Sequence, residues 1–468
     1  MKCVRRVCAA AVLTAAVVSA GGPFVKDEGY RGIWYYNQPS KDQYVYKYSG
    51  GFATYPQQHA PIAIYSKQAN KTFFCYGGTV KGKHNELLHM VSYYNHATGR
   101  VPRPTVLLNK QTDDAHDNPT ISIGDDGHIW IFSASHGTSR PAYIHRSVEP
   151  YSVDDFELVQ TTNYSYPQPW FLPGKGFLFL HTRYRRGEGG RSAGRALHWM
   201  TSRDGREWSV PQVLAMALQG HYQVSWPGPD GRVGTAFDVH PPPLRLNERT
   251  NLYYLETADM GKTWTTAAGR PVPIPIETED SPALVRDYHK EKLLVYLKDL
   301  QYDASGRPVI VFLTAKGYES GPRNDPRTLQ TARWTGKDWA IHPIATADHN
   351  YDHGVLYISG GRWTFIGPTG AGPQSYGTGG EIEMWGSADA GVTWKRERIL
   401  TTGSRFNHTY VRRPLNAHPG FWAMWADGDA FGPSESHLYF ANRAGEVFRL
   451  PAKMEGAFAR PEKVSTRK

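Results

Sequence analysis

SRDGREW (202–208), TADMGKTW (257–264) and SADAGVTW (387–394) are three copies of one pattern: Ser or Thr, then Asp, Gly and Trp at near-constant spacing. In each, the aspartate can accept hydrogen bonds from turn amides, the glycine can take a positive φ, and the tryptophan can wedge between neighbouring sheets. The first residues of successive copies lie 55 and 130 positions apart, which fits one and two repeats of about 60 residues. Looser echoes stand at DGHIW (126–130) and WTGKDW (334–339). The turns are expected to be folding elements on the outside of each repeat rather than ligand sites.

Between these turns the chain reads as short β-rich runs, among them KTFFCYGG, HIWIFSAS, GFLFLHTRY, TNLYYLET, PVIVFLTA and GFWAMWAD. Gly, Pro, Asn and Asp punctuate them, and long helical periodicity is almost absent. The chain is therefore all-β. About 445 residues after the leader, divided by the repeat length, give about seven units, within the usual range for propellers. The expectation is a single seven-bladed β-propeller domain over residues 21–468, with no linker or low-complexity spacer to divide it.

Residues 1–20 carry Lys2, Arg5 and Arg6, an apolar run and a small-residue end, the pattern of a secretory signal peptide, so the protein is expected to be exported to the periplasm or beyond. Cys3 and Cys8 fall in that leader, and Cys75, within an apolar run, is expected to be a buried hydrophobe. No later stretch is long and apolar enough for a membrane span. The formal charge is +10, or +7 once Lys2, Arg5 and Arg6 leave with the leader, which favours an anionic partner. Without a basic helix or recognition motif that partner is not nucleic acid. An anionic polysaccharide suits the compartment and the 13% aromatic content.

The chemistry centres on TDDAHDNPTISIGDDGHIWIFSASHG (112–137). Two strand runs joined by an Asp126-Gly127 turn would bring their far ends together and set His116 beside His136. The next unit ends a strand at Arg183 and Tyr184 and resumes near Arg195. Tyrosine can donate a proton to a leaving oxygen, and arginine can clamp a carboxylate. The unit after it offers His240 and Arg249 at strand ends, with Arg249 a second carboxylate clamp. No metal is assigned to the histidine pair and no organic cofactor is expected. DHNYDH (348–353) and NHTY (407–410) are polar clusters where a structural calcium or zinc ion could sit, although their spacing matches no strong ligand motif.

YKYSGGFATYPQQHAPIAIYSKQANKTFFCYGG, DDAHDNPTISIGDDGHIWIFSASHG, NERTNLYYLETADMGKTW and FNHTYVRRPLNAHPGFWAMWADG together resemble the BNR-4 group of exported propeller proteins, from about residue 29 to 427. That group includes ulvan lyases, lyases that cut rhamnose-α-1,4-glucuronate, and propeller α-L-rhamnosidases. For the lyases the resemblance implies a site on one face, with the two histidines falling on His116 and His136, then Tyr184 and Arg195, and Arg249 binding substrate. The loop before Arg195 departs from the spacing expected of the group. For the rhamnosidases it implies a single catalytic histidine on the opposite face, for which His59 is the match. The expected activity is β-elimination from a rhamnose-glucuronate, ulvan-like glycan, with rhamnosidase action through His59 or non-catalytic glycan binding as alternatives.

Overall fold

The computed structural model describes residues 24–186, 192–242 and 247–464, so the expected signal peptide lies outside the described residues. Seven antiparallel sheets follow one another along the chain as blades 1 to 7, at 63–109, 119–162, 165–215, 223–286, 294–347, 355–399 and 407–464. Blades 1 to 6 have four strands each and blade 7 has five. This is the expected all-β, seven-bladed propeller. Among the described residues the helices are two single 3-10 turns, Ala115–Asp117 and Pro322–Asn324, and none is long and apolar enough to cross a membrane.

The three Ser/Thr-Asp-Gly-Trp turns each follow the third strand of a blade, in blades 3, 4 and 6. Each opening hydroxyl accepts from the glycine amide, at 2.8 Å for Ser202, 2.9 Å for Thr257 and 3.0 Å for Ser387. The aspartate caps the amides that follow, as Asp259 does for Thr263 at 2.9 Å. Trp264 is fully buried and meets Trp199 of the preceding blade edge-on, with ring centroids 5.6 Å apart. The turns therefore fasten blade to blade. DGHIW is different: it is the hairpin turn between the first two strands of blade 2, with Gly127 at φ 80°.

Every blade is contiguous in sequence, so the ring closes through bridges between blades 7 and 1. Leu415 exchanges backbone hydrogen bonds with Ala63 and Tyr65, and Phe458–Ala459 pairs with Val101–Pro102. The first described residues lie along the outer edge of blade 1, where Val25 accepts from Val106. Cys75 is buried in blade 1 as expected, and burial pushes its thiol well up.

Two elements outside the blades shape the site. A hairpin, Trp34–Pro39 paired with Tyr46–Gly51, covers one face near blade 7 and is tied to it through Ser49 and the Ala430 carbonyl. Residues 51–64, all buried, run inward from that hairpin as a plug that leads into the first strand of blade 1. Asn118 holds the plug through the Phe52 and Tyr55 carbonyls, and Arg412 holds it through those of Pro56 and His59.

Gly261 tests the turn mechanism. Its φ is +86°, and a Cβ there would lie 2.1 Å from Trp199 Nε1, whereas Gly269 has φ +75° with nothing within 4 Å. Gly261→Ala should therefore cost on the order of 2–3 kcal/mol and Gly269→Ala about 1 kcal/mol. Denaturant unfolding of the two variants checks this; equal losses would mean that the glycine's contact with Trp199 does not matter.

Candidate active site

The first strands of the blades begin at the face covered by the hairpin, and the loops between second and third strands return to it. His116 precedes the first strand of blade 2 and His136 follows the second. The hairpin geometry brings their rings to a centroid distance of 4.0 Å, nearly parallel at 15°. Two imidazoles so close repel if both are charged, and a single carboxylate between them resolves this.

Asp114 caps the 3-10 turn by accepting from the His116 amide at 3.1 Å. The same side chain accepts from both imidazoles, Oδ1 from His116 Nδ1 at 2.6 Å and Oδ2 from His136 Nδ1 at 2.8 Å. Arg140 adds a contact to Asp114 Oδ2 at 3.0 Å and pairs with both oxygens of Asp117. Asp117 is fully buried, receives the His136 amide at 2.6 Å and lies 3.4 Å from Lys110 Nζ. With each Nδ1 donating to Asp114, each Nε2 carries the lone pair.

The two Nε2 atoms differ in what they meet. That of His116 faces the plug and hairpin, where it accepts from the hydroxyls of Tyr55 and, at 3.2 Å, Tyr48. The His136 side chain is 29% exposed, against 5% for His116. Burial, then repulsion from His136, lowers the His116 pKa to about 4 despite Asp114. Asp114 itself is held far below the carboxylate range, because the two histidines outweigh its burial.

Tyr184 lies near the end of the second strand of blade 3, Gly176–Arg186, and stands edge-on to His136, with centroids 5.7 Å apart. Burial raises its pKa to about 12, with Arg195 pulling the other way. Arg195, directly opposite in strand register, lies 5.7 Å from the Tyr184 ring and 4.2 Å from that of Tyr222. Its Nε and Nη1 are buried without a hydrogen-bond partner. Arg249 flanks the same Tyr222 ring at 4.4 Å and donates to the Tyr351 hydroxyl at 2.9 Å. Burial raises the Tyr222 pKa, but the two guanidiniums outweigh it and leave the phenol below its ordinary value. Lys47 of the hairpin lies 5.4 Å from the Tyr351 ring, and burial, then Arg249 and Arg195, hold its pKa well below the ordinary lysine value.

His116, His136, Tyr184, Arg195 and Arg249 therefore converge, and three other expectations change. Arg183 does not join them: alternation along the strand turns it away from Tyr184, and its charge acts on His181 and His198 instead. His240 is fully buried behind Tyr222, with Nδ1 spent on the Gly220 carbonyl. His59 does not form a site on the opposite face. It is fully buried in the plug, 5.9 Å from the ring of Tyr166, which in turn lies 6.3 Å from His116 and 6.2 Å from His136. The plug carries it under the floor of the same cluster, away from solvent.

Of the polar clusters offered for a structural ion, the second has its His408 held by the Ser404 and Trp425 side chains, and the first is spent on the backbone. Asp352 accepts from the amides of His349 and Gly379, and Asp348 from that of Tyr376. Among the described residues one group of three possible ligands converges, Asp114, His116 and His136, with ligand atoms within 4.8 Å of one another. A cation there would compete with Arg140 for the carboxylate.

The missed residues are Tyr222, just before the first strand of blade 4, Arg140, and the tyrosines Tyr48 and Tyr55. Each reaches the site through a contact far along the chain, and the one local signal was Asp114, two residues from His116.

The model of the BNR_4 family, described as "BNR repeat-containing family member", matches residues 89–347. An ulvan lyase, PL25, of Pseudoalteromonas sp. (strain PLSV) is 22% identical over 293 residues, 53% of this chain and 58% of that protein. The chain thus matches somewhat over half the length of that relative. A solved PL25 ulvan lyase bound to -[GlcA(1-4)Rha3S]- superposes with TM-score 0.68 at 15% identity, over 90% of this chain and 96% of that one. The polysaccharide lyase Uly1 superposes with TM-score 0.61 at 11% identity, over 90% of this chain and 99% of that one. At these identities the structures show a shared fold.

Acid stability tests the histidine environments. His116, His145 and His221 are each lowered to about 4, chiefly by burial. Between roughly pH 6.5 and 4 the unfolded chain binds protons that the folded chain refuses, so stability falls as pH drops through this window, by up to about 3 kcal/mol per histidine. Urea unfolding across that range should show the decline, with the imidazole NMR signals of His116 still neutral at pH 5.5. Constant stability from pH 7 to 4.5 would contradict it.

Proposed function

The chain belongs to the BNR_4 family of BNR repeat-containing proteins, and from that premise we propose that it is a polysaccharide lyase cleaving 4-linked uronate glycans by β-elimination. The observation that carries this is the placement of His136, Tyr184 and Arg195: an imidazole held by a carboxylate at Nδ1, a protonated phenol and a buried guanidinium with unpaired N–H groups, side by side.

The C5 proton of a uronate is weakly acidic until the neighbouring carboxylate is neutralised. Arg195 suits that role, because its Nε and Nη1 are already desolvated and unpaired, so a carboxylate meets them without reorganisation. His136 Nε2, aimed by Asp114, takes the C5 proton, and the electron pair passes into an enolate held by Arg195. As the C4–O bond breaks, Tyr184 gives its proton to the departing oxygen. The product is a 4,5-unsaturated uronate, and the proton on His136 returns to Tyr184 directly or through solvent. Arg249, Lys47 and Tyr222 extend the cationic, aromatic wall along which a charged glycan would lie.

The substrate reading is an ulvan-like glycan in which glucuronate is linked to sulfated rhamnose. It is supported by the relative named as an ulvan lyase, by the disaccharide unit bound in the related structure, and by the +7 charge left once Lys2, Arg5 and Arg6 go with the leader. An exported location, carried by the leader at 1–20, fits such a substrate.

Incubation with ulvan should raise ultraviolet absorbance from the conjugated enoate. His136→Ala should lower kcat by about 100- to 10,000-fold, and Arg195→Ala by about 100- to 1,000-fold. Release of free rhamnose without absorbance would replace elimination with hydrolysis. Tight glycan binding with no turnover would make the protein a binding propeller.

A further inference from the structure

Beneath the plug, on the far side of it from His116 and His136, the propeller axis holds a small cavity of about 20 Å³ lined by Gln57, Trp226, Lys298, His353 and Arg412, with the Asp299–Arg413 pair at its wall. That volume suits a single small particle. The charges around it do not balance. Lys298 and Arg412 are 2% and 5% exposed, and among the described residues neither has a carboxylate within ion-pair distance. Lys298 donates to the Asn350 carbonyl at 2.7 Å, and Arg412 donates to the carbonyls of Pro56 and His59.

Asp299 cannot serve them. Its oxygens accept from Arg413 at 2.8 and 3.2 Å and from the amides of Leu300 and Leu356, both at 2.9 Å. Two further groups lining the cavity are buried without a partner, Gln57 Nε2 and His353 Nδ1. Buried charges are paired and buried polar groups are hydrogen-bonded. Here two cations and an amide donor converge on one space, and the carboxylates that act on them, Asp352 on Lys298 and Asp299 on Arg412, stand beyond ion-pair distance with their oxygens already taken by backbone amides and by Arg413.

We propose that this cavity binds one monovalent anion of halide size, ordinarily chloride. The anion counters Lys298 and Arg412 and accepts from Gln57 Nε2. It also fastens the plug, because the Arg412 guanidinium beside it grips the Pro56 and His59 carbonyls, and the same segment delivers Tyr55 to His116. Burial holds both cations down, Lys298 to about 7 and Arg412 to about 10, although Asp352 and Asp299 act on them in the opposite sense. The proposal is independent of the reaction assigned to the opposite end of the plug.

Two measurements on the full chain test it. Crystals grown in bromide should show an anomalous peak in this cavity. Thermal unfolding at constant ionic strength should shift upward and saturate as bromide or chloride replaces gluconate. Lys298→Met should lose both the peak and the halide response, and Gln57→Leu provides a second variant should the first not fold. A cavity density with no anomalous signal and a midpoint unchanged by halide would mean a water only and overturn the proposal. A peak without any saturable shift would mean an adventitious ion only, and would overturn it as well.

Discussion

The site depends on one carboxylate shared by two imidazoles. Asp114 accepts from Nδ1 of both His116 and His136, which fixes both tautomers, aims both Nε2 atoms away from it and lets the rings stack at 4.0 Å. Charge-assisted hydrogen bonds of this kind contribute about 1.5–3 kcal/mol each, enough to hold a geometry that two free histidines would avoid. Arg140 and Asp117 keep the carboxylate in place. The plug then divides the labour: Tyr55 occupies the Nε2 of His116, and His136 is the more exposed of the pair.

The second half of the site stores unpaired positive charge. Burying a guanidinium without an ion pair is costly, and Arg195 and Arg249 rest against tyrosine rings, with the buried Asp238 carboxylate acting on both from beyond ion-pair distance. That cost is recovered when an anionic ligand supplies the missing acceptor, so the arrangement favours a carboxylate that becomes more negative as a proton leaves the adjacent carbon. The lowered phenol of Tyr222 is a by-product of the same field.

Local chemistry made much of this legible. The repeated Asp-Gly-Trp turns gave the repeat, because each rests on a side chain capping an amide within four residues. The Asp126-Gly127 hairpin gave the histidine pair, because two strands and a tight turn determine where their ends meet. What was missed or misplaced came from distance along the chain. His59 lies three residues after a cis proline in a plug that no periodicity announces, and so sits under the cluster rather than on the other face. Arg183 and Tyr184 are neighbours in sequence but not in direction, and only the pairing register shows which one faces His136. Tyr222 became a site residue only when blade 3 supplied Arg195 on one side of its ring and blade 4 supplied Arg249 on the other.

The central claim is that bond cleavage here removes a proton and adds no water. Digestion of a rhamnosyl-glucuronate oligosaccharide in ¹⁸O-labelled water, read by mass spectrometry, tests it directly. Elimination predicts two products whose masses sum to that of the substrate, with no label from the cleavage and one product carrying the unsaturated uronate. Products that together exceed the substrate by one labelled water would show hydrolysis and contradict the roles given to His136, Tyr184 and Arg195.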